Sequence, residues 1–134
     1  MRLKGPIMSS VEPEVANKAL VSKMFQVVYG DGTNIDLVDD VIAPDYIQHN
    51  PHAGQGLAGV KTFFRDVLAL PLPEALGSAH TVRVNLIAES DFVVRQEIRD
   101  HGMLVDVFRC ADGRIAEHWD AYRADPGTDP LPGF

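Results

Sequence analysis

The sequence predicts an α+β fold, with helices in its first half and antiparallel strands after them. Residues 11–70 place apolar side chains mostly at helical spacing, whereas residues 79–123 contain four short runs rich in Val, Ile and Phe. This order is typical of a curved sheet that wraps one face around the helices. With 134 residues and 46% hydrophobic content, the chain suits a single domain with one core, which we place at residues 11–123.

Three helices are predicted in the first half of the chain. The first covers residues 11–29, which include no glycine and carry a broad apolar stripe. Asn34 can cap a second helix over residues 35–43, which Pro44 ends. A third helix covers residues 57–70 and is closed by the prolines that follow it.

The second half is predicted to be a meander of four strands. They cover residues 79–88, 92–99, 103–110 and 114–123, and short turns containing Gly, Asp or Ser join them. Residues 45–50, ahead of the third helix, are predicted to be an extended segment.

The last hairpin carries two carboxylates and a histidine, and its register decides whether these groups meet. With a three-residue loop at 111–113, Asp106 lies opposite His118 and Leu104 lies opposite Asp120. Because side chains alternate along a strand, both acids and the imidazole then share one sheet face. This register is the favoured prediction.

The alternative is a two-residue turn at Asp112 and Gly113. It would set Asp106 against Trp119 and turn Asp120 to the opposite face, because a shift of one residue reverses the side on which every side chain lies.

Composition argues against several classes of partner. The net charge of −7 and the pI near 5.0 disfavour nucleic acid, whose phosphates would be repelled, and anionic lipid. No apolar run is long enough for a membrane span or a signal-peptide core, and Cys110 is a single cysteine that cannot form an internal disulfide. We therefore expect a cytoplasmic protein. Residues 1–10 are predicted to be a disordered leader or a start-site extension, and residues 124–134 an irregular tail.

Two motifs resemble a known family. The hairpin reads Asp106-Val-Phe-Arg, then Asp112-Gly-Arg-Ile, then Glu117-His-Trp-Asp, and it is similar to the final hairpin of the SnoaL-like polyketide cyclases, within the NTF2-like superfamily. Upstream, Asp45-Tyr-Ile-Gln-His-Asn-Pro, followed by a Gly-rich turn and the helical Gly59-Val-Lys-Thr-Phe-Phe, is similar to the segment that those proteins carry before their sheet.

This resemblance covers residues 14–123 and implies an NTF2-like, or cystatin-like, cone. In such a fold three N-terminal helices pack on a curved antiparallel sheet of four or more strands. The cone between the helices and the concave face suits a small hydrophobic or polycyclic ligand. The family generally works without metal, so the resemblance implies no cofactor and no metal site.

The resemblance also implies a catalytic residue. The aspartate that ends the hairpin motif acts as general acid and base in those cyclases, and this expectation falls on Asp120. A carboxylate in an apolar cavity is desolvated, so its pKa rises and it can exchange protons near neutral pH. The structural alternative is an Asp120 bonded to backbone amides or paired with Arg95 or Arg123.

Asp106 stands where the cyclases carry a histidine, and two neighbouring carboxylates can share one proton.

Two histidines are further candidates. His49 is predicted to lie at the wall of the cone, where it could orient Asp120 or donate to a substrate oxygen; alternatively it fixes its loop by bonding a main-chain carbonyl. His118 could contribute to the site or simply neutralise Asp106 across the strands. Metal ligands could come from His49, His52, Asp106, His118 and Asp120, but no pair of them has the helical spacing of a zinc motif.

The predicted substrate-binding residues are mostly aromatic. Core packing is the alternative for each of them, and on the strand at 92–99 only one of Arg95 and Gln96 can face inward. The set comprises Tyr46, Phe25, Phe63, Gln96, Phe108 and His118.

These residues predict a cofactor-independent acid/base enzyme that acts on a substrate bearing a carbonyl or hydroxyl group. The reaction could be a cyclisation, an isomerisation or a dehydration, and a dehydration would make the enzyme a lyase. Epoxide hydrolysis fits less well, because Leu104 occupies the position where relatives with that activity carry an arginine. The alternative is a non-catalytic protein that binds a hydrophobic ligand. A homodimer is also expected, through an apolar outer sheet face that would carry Val105, Val107, Ile115 and Trp119.

Overall fold

The core lies between a layer of helices and one face of a five-stranded sheet. A computed structural model describes residues 12–30, 34–68 and 78–128. The predicted leader at residues 1–10 and the tail from residue 129 onward lie outside the described residues, as do residue 11 and residues 69–70 of the predicted helices.

The helical layer is built from the three segments predicted to be helical. Helix α1 (Pro13–Val28) buries the side of its stripe that faces the sheet. A 3₁₀ helix spans Ile35–Asp40, and the Asn34 side chain caps it by accepting a hydrogen bond from a backbone N–H at 3.1 Å. Helix α2 (Gly56–Thr62) continues into a π-helical turn at Phe63–Val67. No helix in these described segments is long and apolar enough to cross a bilayer.

The sheet contains the four predicted strands and one more. Its strands are β1 (Ile42–Gln48), β2 (Thr81–Glu89), β3 (Phe92–Arg99), β4 (Gly102–Ala111) and β5 (Arg114–Ala124). The order across the sheet is β1-β5-β4-β3-β2, with β2 to β5 an antiparallel meander. The segment predicted to be extended forms β1, which pairs with β5 in parallel, so the sheet is mixed and not purely antiparallel.

The second predicted helix is shorter than expected. It was predicted to reach residue 43, but the helix ends at Asp40 and a strand begins at Ile42. The reason is tertiary: the Val41 carbonyl accepts a hydrogen bond from the backbone N–H of Ile115 at 2.7 Å, which joins this segment to the sheet. Pro44, which has no N–H to donate, is tolerated because it sits on an edge strand.

The last hairpin combines features of both predicted registers. Its turn is the two-residue one, at Asp112 and Gly113, and both residues have positive φ angles, 53° and 74°. A β-bulge follows, in which Ala116 is an extra residue on β5.

The bulge restores the sheet face that a two-residue turn alone would have reversed. Beyond it, Asp106 lies directly opposite Asp120 and Phe108 opposite His118. The predicted strand register, with Asp106 directly opposite His118, is therefore wrong. Both acids and the imidazole nevertheless share one face, as predicted. Ile115 precedes the bulge and is fully buried in the core, so it does not lie on the outer face as predicted.

Candidate active site

A small apolar cavity lies between the helices and the concave face of the sheet, with a volume of about 60 Å³. Most of its walls are aliphatic or aromatic, and the polar side chains enter from β1, β4 and β5. The apolar lining consists of Met24, Phe25, Val28, Tyr29, Ala53, Val60, Phe63, Phe64, Leu68, Leu104 and Phe108.

Three ionisable side chains line this cavity together: Asp106 from β4, and His118 and Asp120 from β5. The Nε2 atom of His118 lies 2.8 Å from Asp106 Oδ1 and 3.8 Å from Asp120 Oδ2. The side chains are 5%, 8% and 9% exposed for Asp106, His118 and Asp120. We call these three residues the acid cluster.

Alternation along β1 brings three polar residues to the same wall. Tyr46, Gln48 and Asn50 all line the cavity. The Gln48 side-chain oxygen accepts a hydrogen bond from the Asn50 backbone N–H at 2.9 Å, and the amide nitrogen donates to the Tyr46 hydroxyl at 3.2 Å. The orientation of the Gln48 amide is therefore fixed by its partners.

This orientation determines the tautomer of His118. Its Nδ1 atom lies 2.8 Å from the Gln48 side-chain oxygen, which can only accept, so Nδ1 carries a proton. The opposite ring nitrogen, Nε2, lies 2.8 Å from Asp106 Oδ1, so a hydrogen bond joins the imidazole to this carboxyl group.

Asp120 sits at the end of the cluster and is bonded on one side by an amide. Asn50 donates from its side-chain nitrogen to Asp120 Oδ2 at 2.9 Å, while its side-chain oxygen accepts from the backbone N–H of His52. Burial raises the pKa of Asp120 above its ordinary value, and the Asp106 charge adds to this, although the hydrogen bond from Asn50 opposes it.

Two groups in the site are available to a ligand. Asp106 Oδ2 is buried and has no hydrogen-bond partner among the described residues. Burial raises the pKa of Tyr46, so its hydroxyl stays protonated and remains a hydrogen-bond donor at neutral pH. A polar substrate atom could therefore find an acceptor and a donor on the cavity wall.

Two predicted site residues do not reach the cavity. The His49 side chain is 42% exposed, bonds Glu117 Oε2 at 2.7 Å and stacks on Trp119 with ring centroids 4.7 Å apart. Gln96 lies on the outer face of β3, where its side-chain oxygen accepts a hydrogen bond from Asn85. Alternation along the two strands explains both errors, since Tyr46 and Arg95 take the inward positions.

The same alternation could have identified the residues that were missed. With Tyr46 predicted to face inward, a period of two places the next inward positions at Gln48 and Asn50, and His49 outward. The other predicted residues, Phe25, Phe63, Phe108 and His118, do line the cavity.

Arg95 lies directly opposite Asp106 on the neighbouring strand but does not pair with it. Its guanidinium bonds Glu97 and lies 3.7 Å from the centroid of the Phe25 ring. Within the described part of the chain, no ion pair joins an arginine to the acid cluster. The cluster therefore keeps its acidic character in an apolar setting.

The acid cluster also has the composition of a metal site. One ligand atom from each of Asp106, His118 and Asp120 lies within 4.8 Å of the others. Two carboxylates and an imidazole suit several divalent cations, so these three residues could hold one.

Three solved structures share this fold. A candidate polyketide cyclase from Acidithiobacillus ferrooxidans has a TM-score of 0.57 at 19% identity, over 80% of this chain and 87% of that chain. AclR, a candidate hydroxylase from Streptomyces galilaeus, has a TM-score of 0.55 at 20% identity, over 82% of this chain and 76% of that chain. An NTF2-like protein of unknown function from Burkholderia xenovorans LB400 has a TM-score of 0.60 at 13% identity, over 88% of this chain and 90% of that chain. The predicted NTF2-like cone is confirmed, and at these identities the likeness shows the fold alone.

Comparison of sequences places the chain in a family. No curated protein matches it at a significant level. The family model of the SnoaL-like domain matches residues 21–118, which include α2, most of the sheet and two members of the acid cluster. Because this match covers most of the chain, the protein belongs to the SnoaL-like domain family.

Proposed function

We propose that this protein is a cofactor-independent enzyme that moves a proton on a small hydrophobic substrate bearing a carbonyl or hydroxyl group. The observation that carries the proposal is the enclosure of Asp106, His118 and Asp120 in an apolar cavity with no arginine paired to them among the described residues. An enclosed carboxyl group with a raised pKa, such as that of Asp120, is suited to general acid/base catalysis.

Asp120 is the proposed base. Its raised pKa makes it a stronger base than an ordinary aspartate, so it can remove a proton from the carbon next to a substrate carbonyl. The C–H electrons then form an enolate, whose oxygen is stabilised by a hydrogen bond from the Tyr46 hydroxyl.

The fate of the enolate defines the reaction. If the enolate carbon attacks a second carbonyl carbon of the substrate, the new carbon–carbon bond closes a ring, the C=O π electrons form an alkoxide, and the alkoxide takes the proton from Asp120. If the substrate is a β,γ-unsaturated ketone, the intermediate is a dienolate; Asp120 then returns the proton to its far carbon, the double bond moves next to the carbonyl, and the product is an isomer.

Cavity size favours a small substrate over a polycyclic one. Sites for drug-sized ligands usually enclose about 300–1,000 Å³, whereas this cavity measures about 60 Å³. A polycyclic ligand would therefore require α1 or α2 to move away from the sheet.

The buried thiol of Cys110, whose pKa burial raises to about 11, is consistent with a role in the cytoplasm, where thiols stay reduced.

Hydrogen–deuterium exchange tests the proposal without knowledge of the natural substrate. The protein is incubated in heavy water with a panel of small cyclic and aryl ketones, and deuterium uptake at the carbon next to the carbonyl is followed by NMR. We expect the wild type to accelerate exchange and Asp120→Asn to lose about 100-fold or more of that acceleration.

Asp45→Asn is the matched control, because Asp45 is an exposed aspartate on β1 outside the cavity. It should exchange at the wild-type rate. Unchanged exchange in Asp120→Asn, with folding confirmed by circular dichroism, would contradict the assignment of Asp120 as the base.

The second candidate function is a binding protein for a hydrophobic ligand. The observation that favours it is that the acids already have protein partners, since Asp106 bonds His118 and Asp120 bonds Asn50. Ketones that bind, shown by chemical-shift changes of cavity residues, yet never exchange deuterium would support this alternative.

A further inference from the structure

A second cluster of metal-ligating side chains lies at the turn between β3 and β4, away from the cavity. His80 ends a short 3₁₀ helix at Ser78–His80, just before β2, while Asp100 and His101 form the turn itself. The Nδ1 atom of His80 lies 3.0 Å from Asp100 Oδ2, and Nδ1 of His101 bonds the other carboxylate oxygen. Neither histidine nor Asp100 lines the cavity.

The backbone holds these side chains in place. The N–H of Asp100 donates to the carbonyl of His80 at 3.1 Å, which fixes the start of β2 against the end of β3. The carbonyl of His101 accepts from the backbone N–H of Asp125 at 3.0 Å and from the hydroxyls of Tyr122 and Thr128. The three ligand groups are therefore presented by anchored backbone, which lowers the entropic cost of gathering them around an ion.

The donor set is one that borderline divalent cations prefer. One ligand atom from each residue lies within 4.8 Å of the others. Bonds of about 2.0–2.2 Å to a tetrahedral ion place its ligand atoms about 3.3–3.6 Å apart, which is close to the 3.0 Å between His80 Nδ1 and Asp100 Oδ2. Hydrogen bonds from His101 and then His80 lower the pKa of Asp100, which keeps its carboxylate ionised.

We propose that His80, Asp100 and His101 form a divalent-metal site, with zinc as the preferred ion. Two imidazole nitrogens and one carboxylate oxygen provide three protein ligands, and solvent completes the coordination. The site is separate from the acid cluster and does not depend on the proposed catalytic function.

Calorimetric titration of the tag-free protein with zinc chloride tests the site. We expect one zinc ion per chain, and a loss of at least about tenfold in affinity in both His80→Ala and Asp100→Asn. His52→Ala is the matched control, because His52 is an exposed histidine outside the cluster, and it should bind as the wild type does.

The acid cluster is the competing location for the ion, and Asp106→Asn distinguishes the two sites. Zinc binding that survives Asp106→Asn but is lost in Asp100→Asn supports the proposal. Zinc binding that survives Asp100→Asn, or a wild type that binds no zinc, would overturn it.

A measurement on the wild type covers the case in which a variant fails to fold. Zinc added to protein labelled at histidine should shift the ring resonances of His80 and His101 and leave those of His118 unchanged. Shifts confined to His118 would place the ion in the acid cluster and refute the proposal.

Discussion

Asp120 carries a charge that the fold disfavours, and this should be measurable as a change of stability with pH. Burial raises its pKa in the folded state above the ordinary value of 3.8, so the folded chain binds this proton more tightly than the unfolded chain. The resulting stabilisation is complete below the unfolded pKa and is lost as the pH rises through the folded pKa. At neutral pH the ionised carboxylate therefore destabilises the fold.

We expect Asp120→Asn to melt a few degrees above the wild type at neutral pH. The amide is uncharged at every pH, and its oxygen can still accept the hydrogen bond that Asn50 donates. The difference in melting temperature should shrink as the pH falls towards 3.8, where the wild-type carboxyl is protonated. Thermal unfolding followed by circular dichroism across this pH range provides the measurement.

Asp45→Asn controls for the loss of one negative charge from an acidic chain, because Asp45 is exposed. It should melt close to the wild type throughout. An Asp120→Asn variant that is less stable at neutral pH would show that the carboxylate stabilises the fold, contrary to the burial argument.

At the residue scale, alternation along the strands was the most useful guide, and it failed at Ile115 because the bulge at Ala116 changes the register. It grouped Asp106, His118 and Asp120 on one face from sequence alone. The error at His49 came from favouring the chemistry of a histidine over its position, since Gln48 and Asn50 occupy the inward sites. A glutamine and an asparagine carry no catalytic signature of their own, so only their place on β1 could have identified them.

At the element scale, the last hairpin shows what a local pattern can and cannot predict. Asp112 and Gly113 form a favoured two-residue turn, and the turn that is observed uses them. The bulge at Ala116 has no sequence signature, because alanine is compatible with a regular strand as well. The sequence predicts that a three-residue loop brings the acid cluster to one sheet face. In the structure a two-residue turn followed by a bulge brings the same residues to that face.

Strand β3 places Arg95 beside the acid cluster. This arginine is the cross-strand neighbour of Asp106, and Glu97 holds its guanidinium against α1, where it packs over Phe25. Glu97 is fully buried and also bonds Arg99. Two ionic groups therefore lie separately on this face. One is Glu97 with its two arginines, and the other is Asp106 with His118.

We expect Glu97→Gln to reduce the deuterium exchange rate, because a buried guanidinium without its carboxylate partner should turn to Asp106. The double variant Arg95→Met/Glu97→Gln should recover part of the lost rate, since the guanidinium next to Asp106 is then absent. Exchange rates of both variants, with circular dichroism to confirm folding, provide the comparison.

Thr81→Val serves as the control, because it removes a hydrogen bond to Glu97 and leaves both charges in place. Its exchange rate should match the wild type. A folded Glu97→Gln variant with a wild-type rate would mean that Arg95 has no influence on the acid cluster.

At the scale of the whole molecule, the order of elements was predicted well and the long-range pairing was not. The strand bounds on β2 to β5 follow the predicted runs within about two residues, because turn residues mark the ends of each run. The parallel pairing of β1 with β5 joins segments about 70 residues apart, which no local pattern specifies. The size of the cavity could not be predicted from the sequence either, since it depends on how side chains from both layers pack together.

One large face of the sheet is not covered by either helix. The concave face packs against α1 and α2, while the convex face presents apolar side chains that are partly exposed, among them Val94, Val105, Val107 and Trp119. Phe92, next to Trp119, is 42% exposed. A contiguous apolar surface of this kind is characteristic of an interface, and we propose that a second copy of the chain covers it.

We expect the wild type to be a dimer at micromolar concentration and Val107→Lys to be a monomer. Val107 lies on β4, the middle of the three strands whose apolar side chains form this face, so a lysine there would leave an unpaired charge within the interface. Lys23→Glu, on the exposed side of α1, changes charge elsewhere and should remain a dimer. Light scattering coupled to size-exclusion chromatography measures the mass of each, and a monomeric wild type would contradict the proposed interface.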